Sequence, residues 1–302
     1  MKYSIVKNRK WWFVLSGTMI LASIVLLIFV RLRMGIDFVG GSIIEVKLEQ
    51  EIETGADVEE ALSDLELGSV LIQPTSQSTV IIRVAEIGNE TQEQIVQKLR
   101  KTYGSAELER FESVGPTIGE ELRQKAIYAM IIVLVAIVAY IAYAFRKVSA
   151  PIQSWKYGVV AIATLLHDVI IMSGLYVLFG VWFGAEVGSL FIVALLTVLG
   201  YSVNDTIVVF DRVRENLSKQ KSESFGTIVE KSIRQTITRS LNTSITTGLV
   251  LVAILIFGGG TIRDFIAALL VGVLVGTYSS IFFASPLLVA WEKWRAKRKS
   301  IG

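Results

Sequence analysis

The sequence predicts a multi-pass α-helical membrane protein of six transmembrane helices, with one external α+β domain between helices 1 and 2. Three observations carry this. Hydrophobic residues make up 52% of the 302 and charged residues only 19%, and the mean hydropathy is +0.57, which is membrane-protein composition. Six apolar runs are long enough to cross a hydrocarbon core of about 30 Å. One intervening stretch is different in kind, acidic and polar, with short alternating segments.

The first run is Trp11 to Val30, preceded by the basic segment MKYSIVKNRK. A signal peptide would use Lys2, Lys7, Arg9 and Lys10 as its charged end. The run is long for one, however, and closes on Arg31-Leu32-Arg33 with no small-residue cleavage site, so it reads as a retained first helix. Residues 1–33 are thus a cytoplasmic N-terminus and transmembrane helix 1.

Residues 34–123 form the external domain. Strands are expected at Ser42–Leu48, Val70–Gln73, Thr79–Val84 and Ala106–Val114, and helices at Gly55–Leu65 and Glu90–Lys101. A Pro-Thr-Ser-Gln-Ser turn separates the middle strands. The order β-α-β-β-α-β is that of a ferredoxin-like split βαβ unit. About ninety residues suffice for one small core.

Residues 124–302 hold the other five spans, near Ala126–Phe145, Tyr157–Phe179, Val187–Phe210, Leu241–Phe257 and Phe265–Ala290, and a cytoplasmic C-terminus. Their connections set the orientation. Arg146, Lys147 and Lys156 lie between spans two and three, a longer basic stretch from Arg212 to Arg239 between four and five, and Lys293 to Lys299 after six. The opposite connections, Gly180–Glu186 and Gly258–Asp264, are short and nearly neutral. Positive charge favours the cytoplasmic side, so both termini are expected inside and residues 34–123 outside. Ser224 is placed to cap a helix carrying Phe225, Ile228, Val229, Ser232, Ile233, Thr236 and Ile237 on one face, expected to lie along the membrane surface before span five.

The polar groups inside the spans are the candidates for function. Asp205 interrupts an apolar run that continues through Ile207 to Phe210, and a charge at that depth costs several kcal/mol on most scales. Asn204 is beside it. Arg239 opens span five, which runs antiparallel to span four, so the two charges are expected at similar depth. An arginine favours the ionised carboxylate and burial the neutral one. Between those effects Asp205 either loads and releases a proton or stays in a static ion pair with Arg239 that orients two helices. His167 and Asp168, near the middle of span three, offer a possible proton path or a supporting hydrogen bond, though adjacent residues point about 100° apart on a helix. Ala268, Gly272, Gly276, Ser280 and Ala284 recur every fourth residue and form a small-residue stripe for close helix packing. Pro286, just beyond, is expected to kink or end the last helix.

Other chemistries find little footing. With no cysteine there is no disulfide or thiolate site, and one histidine cannot build a histidine-rich metal centre, so neither metal nor cofactor is expected. Walker A, GxSxG and HExxH patterns are missing, and Gly258-Gly259-Gly260 sits at a helix boundary as a turn. Enzymatic chemistry is not expected. The basic loops follow the membrane face without interleaved aromatics, which argues against nucleic acid.

Several motifs, in order along nearly the whole chain, resemble the SecF protein-export subunits. They are Gly35-Ile36-Asp37-Phe38-Val39-Gly40-Gly41, His167-Asp168-Val169-Ile170, Gly200 to Val209 with Asp211 to Asn216, and Arg239-Ser240-Leu241-Asn242-Thr243-Ser244. The resemblance implies a subunit that pairs with SecD into a twelve-span unit related to the RND exporters, in the cytoplasmic (inner) membrane of a bacterium or archaeon. Such a pair assists the Sec translocon (SecYEG), and indirectly its motor ATPase. It draws on the proton-motive force to pull unfolded exported chains outward and release them. The partners implied are SecD, the translocon, the exported polypeptide, protons and membrane lipids. The resemblance further links Asp205 and Arg239 to proton conduction, and makes Asp37, Gly40 and Gly41 a motif for coupling the external domain to the bundle. Two other readings stay open: half of an RND-type small-molecule exporter, and an assembly subunit in which Asp205 never titrates.

Overall fold

A computed structural model describes residues 4–50, 52, 54–76, 78–144, 154–220 and 222–299. Helix α1 (Arg9–Val25) runs into a π-helical turn, Leu26–Val30, which ends at Arg31 in a left-handed conformation (φ 65°). A one-turn helix α2 (Ile36–Val39) then leads to strand β1 (Gly41–Leu48). Helix α3 (Gly55–Leu62), strands β2 (Leu71–Ser76) and β3 (Thr79–Val84), helix α4 (Asn89–Tyr103) and strand β4 (Ala106–Val114) complete the small domain. Five long helices follow: α5 (Pro116–Ala144), α6 (Ser154–Phe183), α7 (Ser189–Lys219), α8 (Phe225–Phe257) and α9 (Gly260–Ser279). The last passes through a π-helical turn, Ser280–Ala284, into α10 (Ser285–Lys299).

Six helical stretches are long and apolar enough to cross a membrane: Arg9–Val30, Pro116–Ala144, Trp155–Phe183, Ser189–Lys219, Phe225–Phe257 and Ile262–Arg295. The chain divides into two compact units. One comprises residues 1–32, 129–185 and 190–302, and the other Arg33–Tyr128 with Glu186–Ser189.

The smaller unit is one antiparallel sheet of order β2-β3-β1-β4 with two helices, the expected β-α-β-β-α-β arrangement. Alternation in β1 and β3 sends Ile44, Val46, Leu48, Val80, Ile82 and Val84 to one face. There they meet Val58 and Leu62 of α3 and Ile95, Val96 and Leu99 of α4, all buried. Helix α3 stops three residues short of the expected Leu65, its end closed by Ser63, whose hydroxyl donates to the Glu60 carbonyl at 2.7 Å. Strand β2 runs on through Pro74, which the sequence reading gave to a turn. It is an edge strand, where a residue without an N–H is tolerated. Gln77, in that expected turn, lies outside the described residues.

In the larger unit, α6 and the last span are the centre. About 61% and 67% of their most apolar windows are buried, against 6% for α5 and 11% for the first span, so the outer helices keep their apolar faces for lipid or another protein. Gly174 of α6 allows close approach to α1, since a Cβ there would come within 2.3 Å of Ser23.

Two expectations are corrected. The segment from Phe225 is not a separate surface helix: it continues without a break into span five as α8, capped as expected by Ser224, which accepts from the Thr227 N–H at 3.3 Å. Its apolar face is buried in the larger unit, and Asn216 of α7 donates to Ser232 Oγ at 2.9 Å and Gln235 Oε1 at 2.8 Å. Nor does Pro286 end the last helix. The irregularity falls just before it, in the π-helical turn, where the Ser285 hydroxyl donates to the Ser280 carbonyl at 3.3 Å.

Candidate functional site

Asp205 lies on α7, half-buried, and both its carboxylate oxygens are held by hydroxyls. Ser240 of α8 donates to Oδ1, and Ser280, first residue of the π-helical turn, donates to Oδ2. Arg239 precedes one of these donors in sequence, so its depth along α8 is close to that of Asp205. Its side chain, about 100° around the helix from Ser240, is exposed instead. Among the described residues neither Asp205 nor Arg239 forms an ion pair, so the static Asp205–Arg239 pair is not the arrangement here. Asn204 is also exposed on α7.

A second carboxylate is completely enclosed. His167 and Asp168 on α6 are each 1% exposed. Adjacent in sequence, they nevertheless meet, His167 Nδ1 lying 2.9 Å from Asp168 Oδ1. Asp168 Oδ2 accepts from Ser202 of α7 and, at 2.9 Å, from Ser279 of α9. The imidazole stacks on Phe283, with ring centres 4.5 Å apart, and more distantly on Tyr278, at 6.2 Å. The Tyr278 hydroxyl lies 3.0 Å from Ser16 Oγ of α1.

Ser279 and Ser280 are consecutive, so they point to different neighbours, one to Asp168 and the other to Asp205. A side branch continues the polar strip: Ser244 Oγ donates to the Ser240 carbonyl at 2.8 Å and meets Tyr201 Oη at 3.0 Å and Thr277 Oγ1 at 2.5 Å. Tyr201 and Ser202, which a helical projection puts on the Asp205 face, thus serve other partners. Sequence reasoning missed Ser240 and Ser279 as ligands of the carboxylates, and assigned Ser280 only to packing. The available signal was a Ser-Ser pair on an otherwise apolar helix. Among the described residues no cluster of three or more His, Cys, Asp or Glu side chains gathers to hold a metal.

The small-residue stripe faces α7. A Cβ on Gly272 would come within 2.2 Å of Val198, and one on Gly276 within 2.9 Å of the Ser202 side chain. Ala268, Ser280 and Ala284 are buried. This contact brings Ser279 and Ser280 within reach of the two carboxylates.

The Gly-Ile-Asp motif has its own geometry, inside the smaller unit. Asp37 Oδ2 accepts from the backbone N–H of Ser189, the first residue of α7, at 2.6 Å. Carboxylates suit helix N-termini, where N–H groups are unpaired and the dipole is positive. Gly35 N donates to the Val187 carbonyl at 3.0 Å and Val187 N to the Arg33 carbonyl at 2.7 Å, and Arg83 of β3 pairs with Glu186 at 2.9 Å. Gly40 and Gly41 have φ of +77° and +128°, and a Cβ on either would strike backbone, at Pro116 and Val84 respectively, within 2.9 Å. The motif therefore grips the lead-in to the helix that carries Asp205.

Comparison with known proteins agrees with these motifs. The family described as "Protein export membrane protein SecD/SecF, C-terminal" matches residues 94–294, and the "SecD/SecF GG Motif" matches residues 25–52. The protein translocase subunit SecF of Thermobaculum terrenum is 43% identical over 95% of this chain and 93% of its own length. The protein translocase subunit SecDF of Brucella abortus is 38% identical over 92% of this chain, which spans 36% of that longer protein. The crystal structure of SecDF, a translocon-associated membrane protein from Thermus thermophilus, superposes with a TM-score of 0.83 at 31% identity. It covers 97% of this chain and 39% of that one. The chain therefore belongs to the SecF subunits of the SecD/SecF protein-export membrane family, as a multi-pass transport protein and not an enzyme.

Proposed function

We propose that this chain acts with a SecD partner as a proton-coupled unit that promotes late steps of protein export and release of the exported polypeptide. The observation that carries the reading is Asp205, a carboxylate within a membrane-spanning helix whose two oxygens are both held by serine hydroxyls. A hydroxyl donates to a carboxylate, and it can turn or accept when that carboxylate becomes an acid. The site thus accommodates a proton without first breaking an ion pair. Support for the SecD partner comes from relatives in which matching sequence is part of one SecDF chain, and from the weakly buried apolar faces of α1 and α5. Asp37, bound to the first residue of α7, is the proposed mechanical link between the small domain and the helix of Asp205. Family membership favours protein export over a small-molecule exporter. The basic connections support an orientation with both termini in the cytoplasm and the sheet domain outside.

The test is the rate of export into sealed vesicles containing the chain and its SecD, with and without an imposed proton gradient. The parent is expected to accelerate with the gradient and Asp205→Asn is expected not to, while assembling normally. Equal acceleration in both would leave Asp205 as scaffolding and favour the non-titrating assembly subunit.

A further inference from the structure

One buried group has no place in the mechanism above: His167, the single histidine of the chain. It is 1% exposed, its Nδ1 is engaged by Asp168, and its Nε2 is buried with no hydrogen-bond partner among the described residues. A buried polar atom left unpartnered is costly, so its place here asks for a reason. Imidazole is also the side chain that changes charge near neutral pH when unperturbed.

The connection to Asp205 is short. Ser279 and Ser280 each have one proton and two acceptors in reach. For Ser279 these are Asp168 Oδ2 at 2.9 Å and the Gly276 carbonyl at 3.1 Å. For Ser280 they are Asp205 Oδ2 and the Thr277 carbonyl at 3.1 Å. When a carboxylate gains a proton, its serine is free to turn to the carbonyl. The two serines are consecutive, and Ser280 begins the π-helical turn that also carries Phe283, so both carboxylates and the imidazole rest against one short stretch of backbone. Such single π-helical turns recur at functional sites.

We propose that His167 and Asp168 form a second proton-holding site, loaded and emptied at His167 Nε2, whose occupancy is coupled to that of Asp205 through Ser279 and Ser280. The inference rests on the reading of Asp205 as a titrating group. With the proton on, both ring nitrogens carry hydrogen and His167 is a cation against ionised Asp168. With the proton off, Nδ1 keeps its hydrogen toward Asp168 and Nε2 presents a bare lone pair. No other atom need change its bonding. Among the described residues, the titratable groups around the ring are Asp168 on its own helix, Tyr278 from α9 and, two serines further, Asp205 from α7. The α1 residues that meet Tyr278, Ser16 and Trp12, do not titrate.

A lone histidine makes the test clean. The full chain, labelled only with 15N-histidine and freed of any polyhistidine tag, is reconstituted in lipid bilayers, and the imidazole nitrogen signals are followed from pH 5 to 8. One titrating imidazole is expected. In Asp205→Asn the fraction of imidazolium should fall through the transition, because the negative charge that favours the cation, relayed through Ser280 and Ser279, is gone. That fall should be at least halved in a Ser279→Ala background. If Asp205→Asn does not assemble, Ser280→Ala is the alternative: it removes a donor from Asp205 while keeping both carboxylates, and should lower the imidazolium fraction in the same direction. An imidazole that does not titrate in this range overturns the proposal. So does a titration indifferent to Asp205→Asn, or to Ser280→Ala where that is the variant used, and so does a response left intact by Ser279→Ala. The outcome separates from that of the export test: normal gradient-driven export by Asp205→Asn with a shifted imidazole titration would sink the role of Asp205 in export and leave this coupling standing.

Discussion

Asp205 was legible in the sequence because a carboxylate inside an apolar run is expensive and therefore conspicuous. Its ligands were not. Ser240 and Ser280 lie on two other helices, and which serines turn toward Asp205 cannot be read from their spacing. The same limit left an Asp205–Arg239 pair open as one of two readings: matching depth on antiparallel helices is readable from spacing, but the direction in which each side chain points depends on how both helices are rotated. Arg239 is exposed and Ser240 takes its place. Arg239 does not touch Asp205 in this arrangement, and we propose that its role in proton movement is exercised in a different arrangement of the helices. Arg239→Met is accordingly expected to lose gradient-stimulated export as Asp205→Asn does. In a double-mutant cycle on that rate, the pair should cost no more than either single change. Full additivity would separate the two residues.

At the level of elements, the repeat of small residues in the last span suggested a smooth face, while its partner could not be known from one helix alone. The structure supplies it: Val198 and Ser202 of α7 sit where side chains on Gly272 and Gly276 would be. Gly276→Leu should therefore force the helices apart at a cost of about 1–3 kcal/mol, seen as a lower midpoint of thermal unfolding and reduced assembly with SecD. An unchanged midpoint would remove this contact from the account. Asp37 is the complementary case at the other end of α7. Its glycine-rich setting was visible in sequence, whereas its hydrogen bond to Ser189 depends on a segment about 150 residues away. Asp37→Ala removes a carboxylate from a helix N-terminus, worth about 1 kcal/mol. The sheet domain should stay folded by circular dichroism while gradient-stimulated export falls. Export at the parent rate would show that the motif only shapes the domain. Strand β2 and helix α8 mark where local reading gave out. Pro74 looked like a turn until the sheet order made β2 an edge, and the amphipathic start of α8 looked like a membrane-surface helix until α7 and the N-terminal segment were seen to cover it. Glu230 there accepts from the Val6 N–H at 2.9 Å and from Ser4 Oγ at 3.0 Å.

For the whole molecule, six spans and an inserted split β-α-β domain followed directly from hydropathy and periodicity, because each rests on patterns local to the chain. Which side each loop occupies is proposed from charge, and is open to a simple check. The chain has no cysteine, so single replacements at exposed sites report sidedness without background. Glu90→Cys, on the small domain, should react with an impermeant maleimide added outside intact cells, and Lys219→Cys only after the membrane is opened. The reverse pattern would invert the orientation. What hydropathy could not reveal is that polar groups from four spans (α6, α7, α8 and the last) converge on two carboxylates inside the larger unit. The central claim is that one of these, Asp205, takes up and releases a proton. Infrared difference spectra of the reconstituted protein, recorded between alkaline and acid buffer, test it most directly. A carboxylic-acid band that appears on acidification in the parent and is missing in Asp205→Asn is the expected result. Identical difference spectra for the two proteins would contradict it.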